Sequence, residues 1–258
     1  MSKVYTTEIT SEEIPSDNPI HQRLLKPYIV VSDIVGGDLL EVGCGEGRGI
    51  GTLIDKVRSY TAVDKIATVI DALKVKFPSG RFIAGNIPPL KGLADNAFDF
   101  VVSFQVIEHL RDDHLFLKEI HRVLRPGGLA LITTPNRPMS LSRNPWHIRE
   151  YSSAELTELA RRYFGEVVMK GITGNDKVMT YYERNKRSVD RLMRFDVFDL
   201  QHKLPAALLK LPYELLNRWN RDKLNGSADE LTRSIHNTDY LVTDQPESAL
   251  DLFLQARK

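Results

Sequence analysis

Four glycines at every second position follow a short apolar run that begins at Leu39 and contains one carboxylate, Glu41. The stretch reads "LLEVGCGEGRG", with glycine at positions 43, 45, 47 and 49. Glycine adopts positive φ angles easily and lets a ligand approach the backbone closely. A helix that begins after such a loop offers unpaired N–H groups to an anion. We therefore predict a loop that holds a small ligand with polar and anionic groups.

The spacing of these glycines excludes two common nucleotide-binding loops. A dinucleotide fingerprint requires G-x-G-x-x-G, but the sixth position counted from Gly43 is Arg48, and counted from Gly45 it is Ile50. A P-loop also fails, because no Gly-Lys-Ser/Thr follows. A merely tight strand-to-helix turn is the remaining alternative, although four alternate glycines are more than a turn requires.

A second group of reactive side chains follows the apolar run "LALITTPN". The loop after it contains Trp146, His147, Arg149 and Tyr151. His147 is a candidate catalytic base because the unperturbed pKa of imidazole lies near the working pH. Trp146, Arg149 and Tyr151 are candidates for a substrate wall, in which Arg149 would hold an anionic acceptor. In the alternative interpretation, His147 and Arg149 only connect the loop to the next helix by hydrogen bonds.

Alternating strands and helices must position both groups. Short apolar runs predict strands at "DLLEVG", "SYTAVD", "GRFIAGNI", "FDFVVSFQV", "LALITTPN" and "GEVVMKGIT", and segments with helical spacing lie between them. Pro27 is expected to break or bend a short helix near the N-terminus. The pattern predicts an α/β fold: a doubly wound, Rossmann-like, mostly parallel seven-stranded sheet with a helical insertion before the last strand.

The predicted organisation follows the same order along the chain. Residues 1–35 form an N-terminal arm and helix, 36–175 the ligand-binding core, 176–235 a helical insertion and 236–258 the final strands. The insertion contains "PAALLKLPYELLNRW", whose apolar side chains are expected to pack on the core or on a second copy in a homodimer. A lid over a hydrophobic acceptor and a surface helix that contacts lipid are the alternatives.

Three segments resemble the class I S-adenosylmethionine-dependent methyltransferases of the methyltransferase-11-like, small-molecule type. "LLEVGCGEGRG" is similar to the family's E/D-x-G-x-G-x-G loop, "YTAVDK" to its second acidic position, and "AFDFVVSFQVIEHLRDDHLFLKEIHRVLRPGG" to its fourth strand and the following helix end. The resemblance implies S-adenosylmethionine as cofactor, with S-adenosylhomocysteine as its product. It also implies methyl transfer to an oxygen or nitrogen of a metabolite, sugar or lipid precursor.

The resemblance implies roles for individual residues. Asp64 is expected to accept hydrogen bonds from both ribose hydroxyls, and Glu41 to bond the cofactor's amino group. The family usually has Gly-Asp where this chain has Asn86, so adenine recognition would depend on an amide oxygen. His109, in the family's Glu-His pair, is a second catalytic candidate that either orders the pocket wall or touches the substrate. The implied cofactor-binding residues are Glu41, Gly43, Cys44, Gly45, Gly47, Asp64, Lys65, Asn86, Ile87, Phe104, Gln105 and Val106.

Composition and charge limit the classes of partner. The net charge of +1 gives no general attraction to nucleic acid. Cys44 is the only cysteine, and no His/Cys/Asp cluster has metal-ligand spacing, so neither a disulfide nor a metal is expected. The polar N-terminus and the lack of a long apolar stretch predict a cytoplasmic protein without a membrane span. The open alternatives are an RNA or protein methyltransferase, and a non-catalytic protein that keeps the fold to bind a partner.

Overall fold

The computed structural model describes residues 17–194, 203–205, 208–210, 213, 215–216 and 230–258. The chain divides into two compact units. The sheet unit contains residues 27–139, 148–172 and 242–258, and the helical unit contains the described residues of 1–26, 140–147 and 173–241.

The described residues form an alternating series of helices and strands. The helices are α1 (Asn18–Val31), α2 (Ile50–Leu53), α3 (Ala67–Lys76), α4 (Asp113–Val123), α5 (Ser153–Arg161) and α6 (Asp176–Met193). The strands are β1 (Asp38–Val42), β2 (Ser59–Asp64), β3 (Arg81–Ala84), β4 (Phe98–Phe104), β5 (Leu124–Pro135), β6 (Glu166–Gly174), β7 (Tyr240–Thr243) and β8 (Asp251–Arg257).

The strands form one sheet in the order β3-β2-β1-β4-β5-β8-β6-β7. β1 pairs in parallel with β2 and β4, as do β2 with β3 and β4 with β5. β8 is antiparallel to both β5 and β6. The predicted α/β class is confirmed, but the described sheet has eight strands where seven were predicted. β7 and β8 both lie within residues 236–258, which were predicted to contain the final strands; β7 has four residues, of which Leu241 and Val242 are exposed.

Buried apolar side chains explain why the central elements form where they do. Leu39, Leu40 and Val42 of β1 are fully buried, as expected for a strand covered on both faces. α4 begins at an N-cap, because the Asp112 side chain accepts a hydrogen bond from the Leu115 N–H at 2.8 Å. The segment "DDHLFLKEIHRVLRPGG" predicts a helix that Pro126 and the glycines after it end, and the structure ends the helix three residues before Pro126. The helix ends at Val123, because the following residues, from Leu124, extend into β5.

Proline does not end α1. The helix runs for 14 residues and continues past Pro27, so the predicted break is not found at this position. Proline lacks the N–H that would complete one helical hydrogen bond, which is a local loss. Tyr28 and Val31, which follow it, are buried in the sheet unit. Their burial offsets the missing hydrogen bond and keeps the last turn helical.

The helical unit has its own polar contacts. The Asn18 side chain donates to the carbonyls of Thr232 and Ile235 at 2.8 and 2.9 Å. The Asp239 carboxylate accepts hydrogen bonds from the side chains of Asn175 and Lys177 at 2.8 and 3.0 Å. Among the described residues, no helix combines the length and apolarity needed to cross a bilayer.

The predicted insertion at 176–235 is only partly described. Leu208, Leu215 and Leu216 are exposed, whereas Leu211 and Trp219 lie outside the described residues. The helical unit also includes residues 140–147, which the sequence assigned to the core. Contacts within the unit explain this, since the Arg143 guanidinium donates to the Leu204 carbonyl at 3.3 Å. The boundaries at 35, 175 and 235 stay predictions.

Candidate active site

The glycine loop after β1 combines tight packing with open space. Gly43, Gly45 and Gly47 have φ angles of 82°, 48° and 81°. A Cβ on Gly43 would lie 2.4 Å from Val106 Cγ2, so the Val106 side chain, two residues after the end of β4, excludes a larger residue at position 43. A Cβ on Gly45 would have no heavy atom within 4 Å. The backbone of Gly45 is therefore strained for other residues but accessible from outside, which suits close approach by a ligand.

Asp64 joins the end of β2 to this loop. Its carboxylate accepts a hydrogen bond from the Gly45 N–H at 2.9 Å and another from the Ile66 N–H at 3.0 Å. Each carboxylate oxygen has two lone pairs, so both oxygens can accept a further donor. Lys65 follows directly and is exposed. The carboxylate thus has a fixed orientation and remaining capacity to bind hydroxyl groups.

Glu41 lies beneath the loop, fully enclosed by protein. Its carboxylate accepts hydrogen bonds from the hydroxyls of Tyr28, at 2.6 Å, and Tyr60. Burial raises the pKa of Glu41, and the two hydroxyl donors oppose that rise. Burial also raises the pKa of the Cys44 thiol, which is a poor nucleophile as a consequence and packs as a small apolar group.

The carboxyl ends of β3 and β4 carry the remaining cofactor candidates. Asn86 is exposed and Ile87 is half-buried. At the end of β4, the Phe104 ring is buried and meets the Tyr28 ring edge-on at 4.8 Å between centroids. Gln105 has a φ of 58°, and its N–H donates to the Thr133 carbonyl at 2.9 Å. A positive φ in a residue other than glycine is sterically unfavourable and occurs often at functional sites.

The order of the strands brings these residues to one edge of the sheet. β1, β2, β3 and β4 are parallel, so their carboxyl ends point the same way. The chain moves outward from β1 to β2 and β3, then returns to the other side of β1 with β4. Ligands of doubly wound sheets bind at this reversal of direction. The glycine loop, Asp64, Asn86 and Gln105 all follow strands that meet there.

Glu108 connects three segments of the sheet unit. Its buried carboxylate accepts a hydrogen bond from the Thr134 hydroxyl at 2.9 Å. Its carbonyl accepts hydrogen bonds from the N–H groups of Ile148 and Arg149 at 2.7 and 3.2 Å. His109 is half-buried, and its Nε2 lies 4.0 Å from Glu108 Oε1. His109 therefore has a carboxylate beside it that can orient its ring.

Asp113, which the sequence analysis did not select, holds two predicted substrate residues. Its carboxylate accepts hydrogen bonds from Arg149 Nη1 at 3.0 Å and from the Tyr151 hydroxyl at 2.8 Å. The Arg149 guanidinium also lies 4.7 Å from the centroid of the Tyr151 ring. Tyr151 is fully buried, so packing and this hydrogen bond account for it. We do not include Tyr151 in the proposed acceptor site.

Trp146 and His147 lie in the helical unit, where Asn144 organises their loop. The Asn144 Oδ1 accepts a hydrogen bond from the Trp146 N–H at 3.0 Å. The Asn144 amide nitrogen therefore faces His147 Nε2, at 2.8 Å, and donates to it. The Lys210 ammonium lies 3.5 Å from the centroid of the Trp146 ring. In this arrangement Nε2 of His147 is an acceptor, so the ring proton of the neutral form is on Nδ1.

The predicted residues thus fall into three groups. The cofactor candidates of the glycine loop, β2, β3 and β4 share one edge of the sheet. His109 and Arg149 lie in the sheet unit, each beside a carboxylate. Trp146 and His147 belong to the helical unit. The roles of all of them stay predictions. Tyr28 and Asp113 had no local sequence signal, because their partners lie 13 and more residues away along the chain.

The comparisons with known proteins agree with this geometry. Residues 40–132 match the family model described as a methyltransferase domain. A protein of Mycolicibacterium smegmatis named "Probable S-adenosylmethionine-dependent methyltransferase" is 44% identical over 129 residues, which cover 48% of this chain and 50% of that protein. A "Phthiotriol/phenolphthiotriol dimycocerosates methyltransferase" of Mycobacterium leprae is 29% identical over 168 residues, or 63% of this chain and 61% of that protein. The chain spans about half the length of the curated relatives it matches.

A solved structure extends the likeness to the fold of nearly the whole chain. The crystal structure of a SAM-dependent methyltransferase from Thermotoga maritima has a TM-score of 0.59 at 15% identity, covering 93% of this chain and 92% of that one. At this identity the similarity shows the fold. The chain therefore contains a segment, residues 40–132, that matches the methyltransferase-domain family model, within a fold similar to that of a solved SAM-dependent methyltransferase.

Proposed function

We propose that this chain is an S-adenosylmethionine-dependent methyltransferase that transfers a methyl group to an oxygen or nitrogen of a small-molecule acceptor. The contact between Asp64 and the Gly45 N–H carries the proposal. It holds a carboxylate suited to ribose hydroxyls directly beside a loop that is open at Gly45. A loop that served only as a tight turn would need neither feature.

The chain's residues suit the cofactor in different ways. Bound S-adenosylmethionine supplies a methyl group on a positively charged sulfur, ready for in-line displacement. Asp64 would bind the ribose, Asn86 and Ile87 the adenine, and the loop N–H groups the aminoacyl part. Phe104 and Val106 would exclude water around the sulfur. Positioning and exclusion of water are the protein's main contributions to such a reaction.

Two histidines are proposed on the acceptor side. His109 has the Glu108 carboxylate beside it, which can orient its ring. His147 Nε2 accepts a hydrogen bond from the Asn144 amide, so this nitrogen must first be released before it can act as the general base of the sequence-based hypothesis. We therefore propose that His147 orients the acceptor.

A lipid precursor is the acceptor class we favour among the metabolites, sugars and lipids that the sequence left open. The Mycobacterium leprae relative is named for dimycocerosates, a class of lipids. The helical unit also exposes Leu208, Leu215 and Leu216, of which the first two have about two thirds of their surface in solvent (63% and 64%). Exposed apolar side chains of this kind suit contact with an acyl chain.

Two measurements test the proposal. Calorimetric titration with S-adenosylmethionine should show binding, and a folded chain that does not bind it would favour the non-catalytic alternative. Transfer of a labelled methyl group from S-adenosylmethionine to fractionated cell extract should then label the organic lipid fraction. Label in water-soluble metabolites would support methyltransferase activity on a small molecule but contradict the lipid precursor as acceptor. Label in RNA or protein would support the macromolecular alternative and contradict the small-molecule proposal.

A further inference from the structure

Two tyrosines from different elements hold the buried carboxylate of Glu41. The Tyr28 hydroxyl, from α1, donates to Oε1 at 2.6 Å, and the Tyr60 hydroxyl, from β2, donates to Oε2. All three side chains are buried. Because each oxygen receives its own donor, both the orientation and the negative charge of the carboxylate are stabilised. We call these three residues the tyrosine–glutamate cluster.

Tyr28 contacts more of the site than Glu41 alone. A Cβ placed on Gly49 would lie 1.9 Å from Tyr28 Cδ1, so the ring lies directly on the backbone where α2 begins. The same ring meets Phe104 edge-on at the end of β4. Tyr28 therefore touches the end of β1, the end of the glycine loop and the end of β4. Each of these segments carries or adjoins predicted cofactor residues.

We propose that Tyr28, supported by Tyr60, is a positioning residue for the cofactor site, acting through Glu41 and the glycine loop. This inference rests on the proposed function and adds a residue of α1 to its machinery. Tyr28 holds the loop against the sheet, and its hydroxyl fixes the orientation of the Glu41 carboxylate by a hydrogen bond at 2.6 Å. No sequence motif connects residue 28 with residue 41, so this role has no local signal.

The charge environment of Glu41 gives the proposal a measurable consequence. The titratable groups around the tyrosine–glutamate cluster are Asp64 of β2 and Cys44 and Arg48 of the loop, besides the two tyrosines. Burial raises the pKa of Glu41, and the hydroxyls of Tyr28 and Tyr60 oppose that rise. Without the Tyr28 hydroxyl the pKa must rise further, so Glu41 becomes protonated at a higher pH. Cofactor affinity that depends on its charge is then lost at a higher pH as well.

Calorimetric titration with S-adenosylhomocysteine between about pH 5.5 and pH 8.5 tests this consequence. Tyr28→Phe should bind about tenfold more weakly near neutral pH, and its affinity should begin to fall at a higher pH than that of the wild type. The double variant Tyr28→Phe/Glu41→Gln should lose the pH dependence, because residue 41 no longer titrates. The matched control is Tyr163→Phe. The Tyr163 hydroxyl forms a hydrogen bond with Nδ1 of His114 in α4, at 2.9 Å, and not with Glu41. This variant should bind like the wild type.

The outcomes separate this inference from the proposed function. A folded Tyr28→Phe that binds with wild-type affinity at every pH would overturn the inference, because the hydroxyl would then have no effect on the site. If Tyr28→Phe does not fold, Tyr60→Phe is judged by the same criterion, since its hydroxyl bonds to the other oxygen of Glu41. A wild-type chain that does not bind the compound would instead refute the proposed function itself.

Discussion

Asp64 is the residue on which cofactor binding should depend most strongly. Its oxygens are already fixed by the N–H groups of Gly45 and Ile66. Asp64→Ala should weaken S-adenosylmethionine binding by about 1–3 kcal/mol, because the ribose hydroxyls lose a charged acceptor. Calorimetry measures the Kd, with Asp71→Ala as control, an exposed acid of α3 that pairs with Lys74. An unchanged Kd in Asp64→Ala would mean that the ribose binds elsewhere.

His147 should affect turnover rather than cofactor affinity. Its contacts with Asn144 orient the ring within the helical unit, and no predicted cofactor residue belongs to that unit. His147→Ala should therefore lower kcat at least about tenfold and change the Kd for S-adenosylmethionine less than about twofold. Steady-state kinetics and calorimetry give the two quantities. Equal turnover in the variant and the wild type would return His147 to a purely structural role.

At this scale, sequence patterns predicted residues whose partners are close along the chain. The loop glycines and Asp64 at the end of β2 have local signals in the sequence. Glycine is favoured where the loop needs positive φ angles, and a polar residue after an apolar run marks the end of a buried strand. Tyr28 and Asp113 have none. Their hydrogen bonds to Glu41 and Tyr151 join residues 13 and 38 positions apart, and only the fold brings these together.

Among the elements, the Asp113 carboxylate of α4 connects this helix to Arg149 and Tyr151 in the loop after β5. Asp113→Ala would leave the buried Tyr151 hydroxyl without its acceptor, which costs about 1–3 kcal/mol of unfolding free energy. Arg149→Ala should cost less, at most about 1 kcal/mol, because that side chain is nearly half exposed and its ion pair is screened. Urea unfolding of both variants measures the difference. Equal losses would show that the ion pair, not the tyrosine hydrogen bond, makes the connection.

The elements themselves were predictable where apolar runs are long and buried. The central strands and α5 have such runs, and the N-cap of α5 is Ser152, which forms a capping box with Glu155. The predicted break at Pro27 is not found. At Pro27, the burial of neighbouring side chains outweighs a local loss of one hydrogen bond. β7 lies within residues 236–258, which were predicted to contain the final strands, but the total of eight described strands exceeds the predicted seven by one.

For the molecule as a whole, several carboxylates make stability sensitive to acid. Four carboxylates have lowered pKa values in the fold, mainly because each accepts a hydrogen bond. Side chains donate to two of them, Arg58 to Asp38 and Arg122 to Glu119. Backbone N–H groups donate to the other two, that of Ser152 to Glu155 and that of His236 to Asp239. A lowered pKa means that the unfolded chain binds more protons than the folded one in the acidic range. The contribution of these four carboxylates to the free energy of unfolding should therefore be constant above about pH 5 and should fall as the pH decreases further.

Glu155 allows this expectation to be tested at one residue. Its pKa is lowered to about 2, first by the Ser152 N–H and then by the Ser152 hydroxyl and Arg137, so its contribution is complete above about pH 4.5 and is lost between there and about pH 2. Glu155→Gln should be less stable than the wild type at neutral pH, and the difference should shrink toward pH 3. Glu158→Gln, a change at an exposed carboxylate of the same helix, should show a small and constant difference. Urea unfolding at several pH values measures both, and a Glu155→Gln difference that stays constant with pH would contradict the lowered pKa.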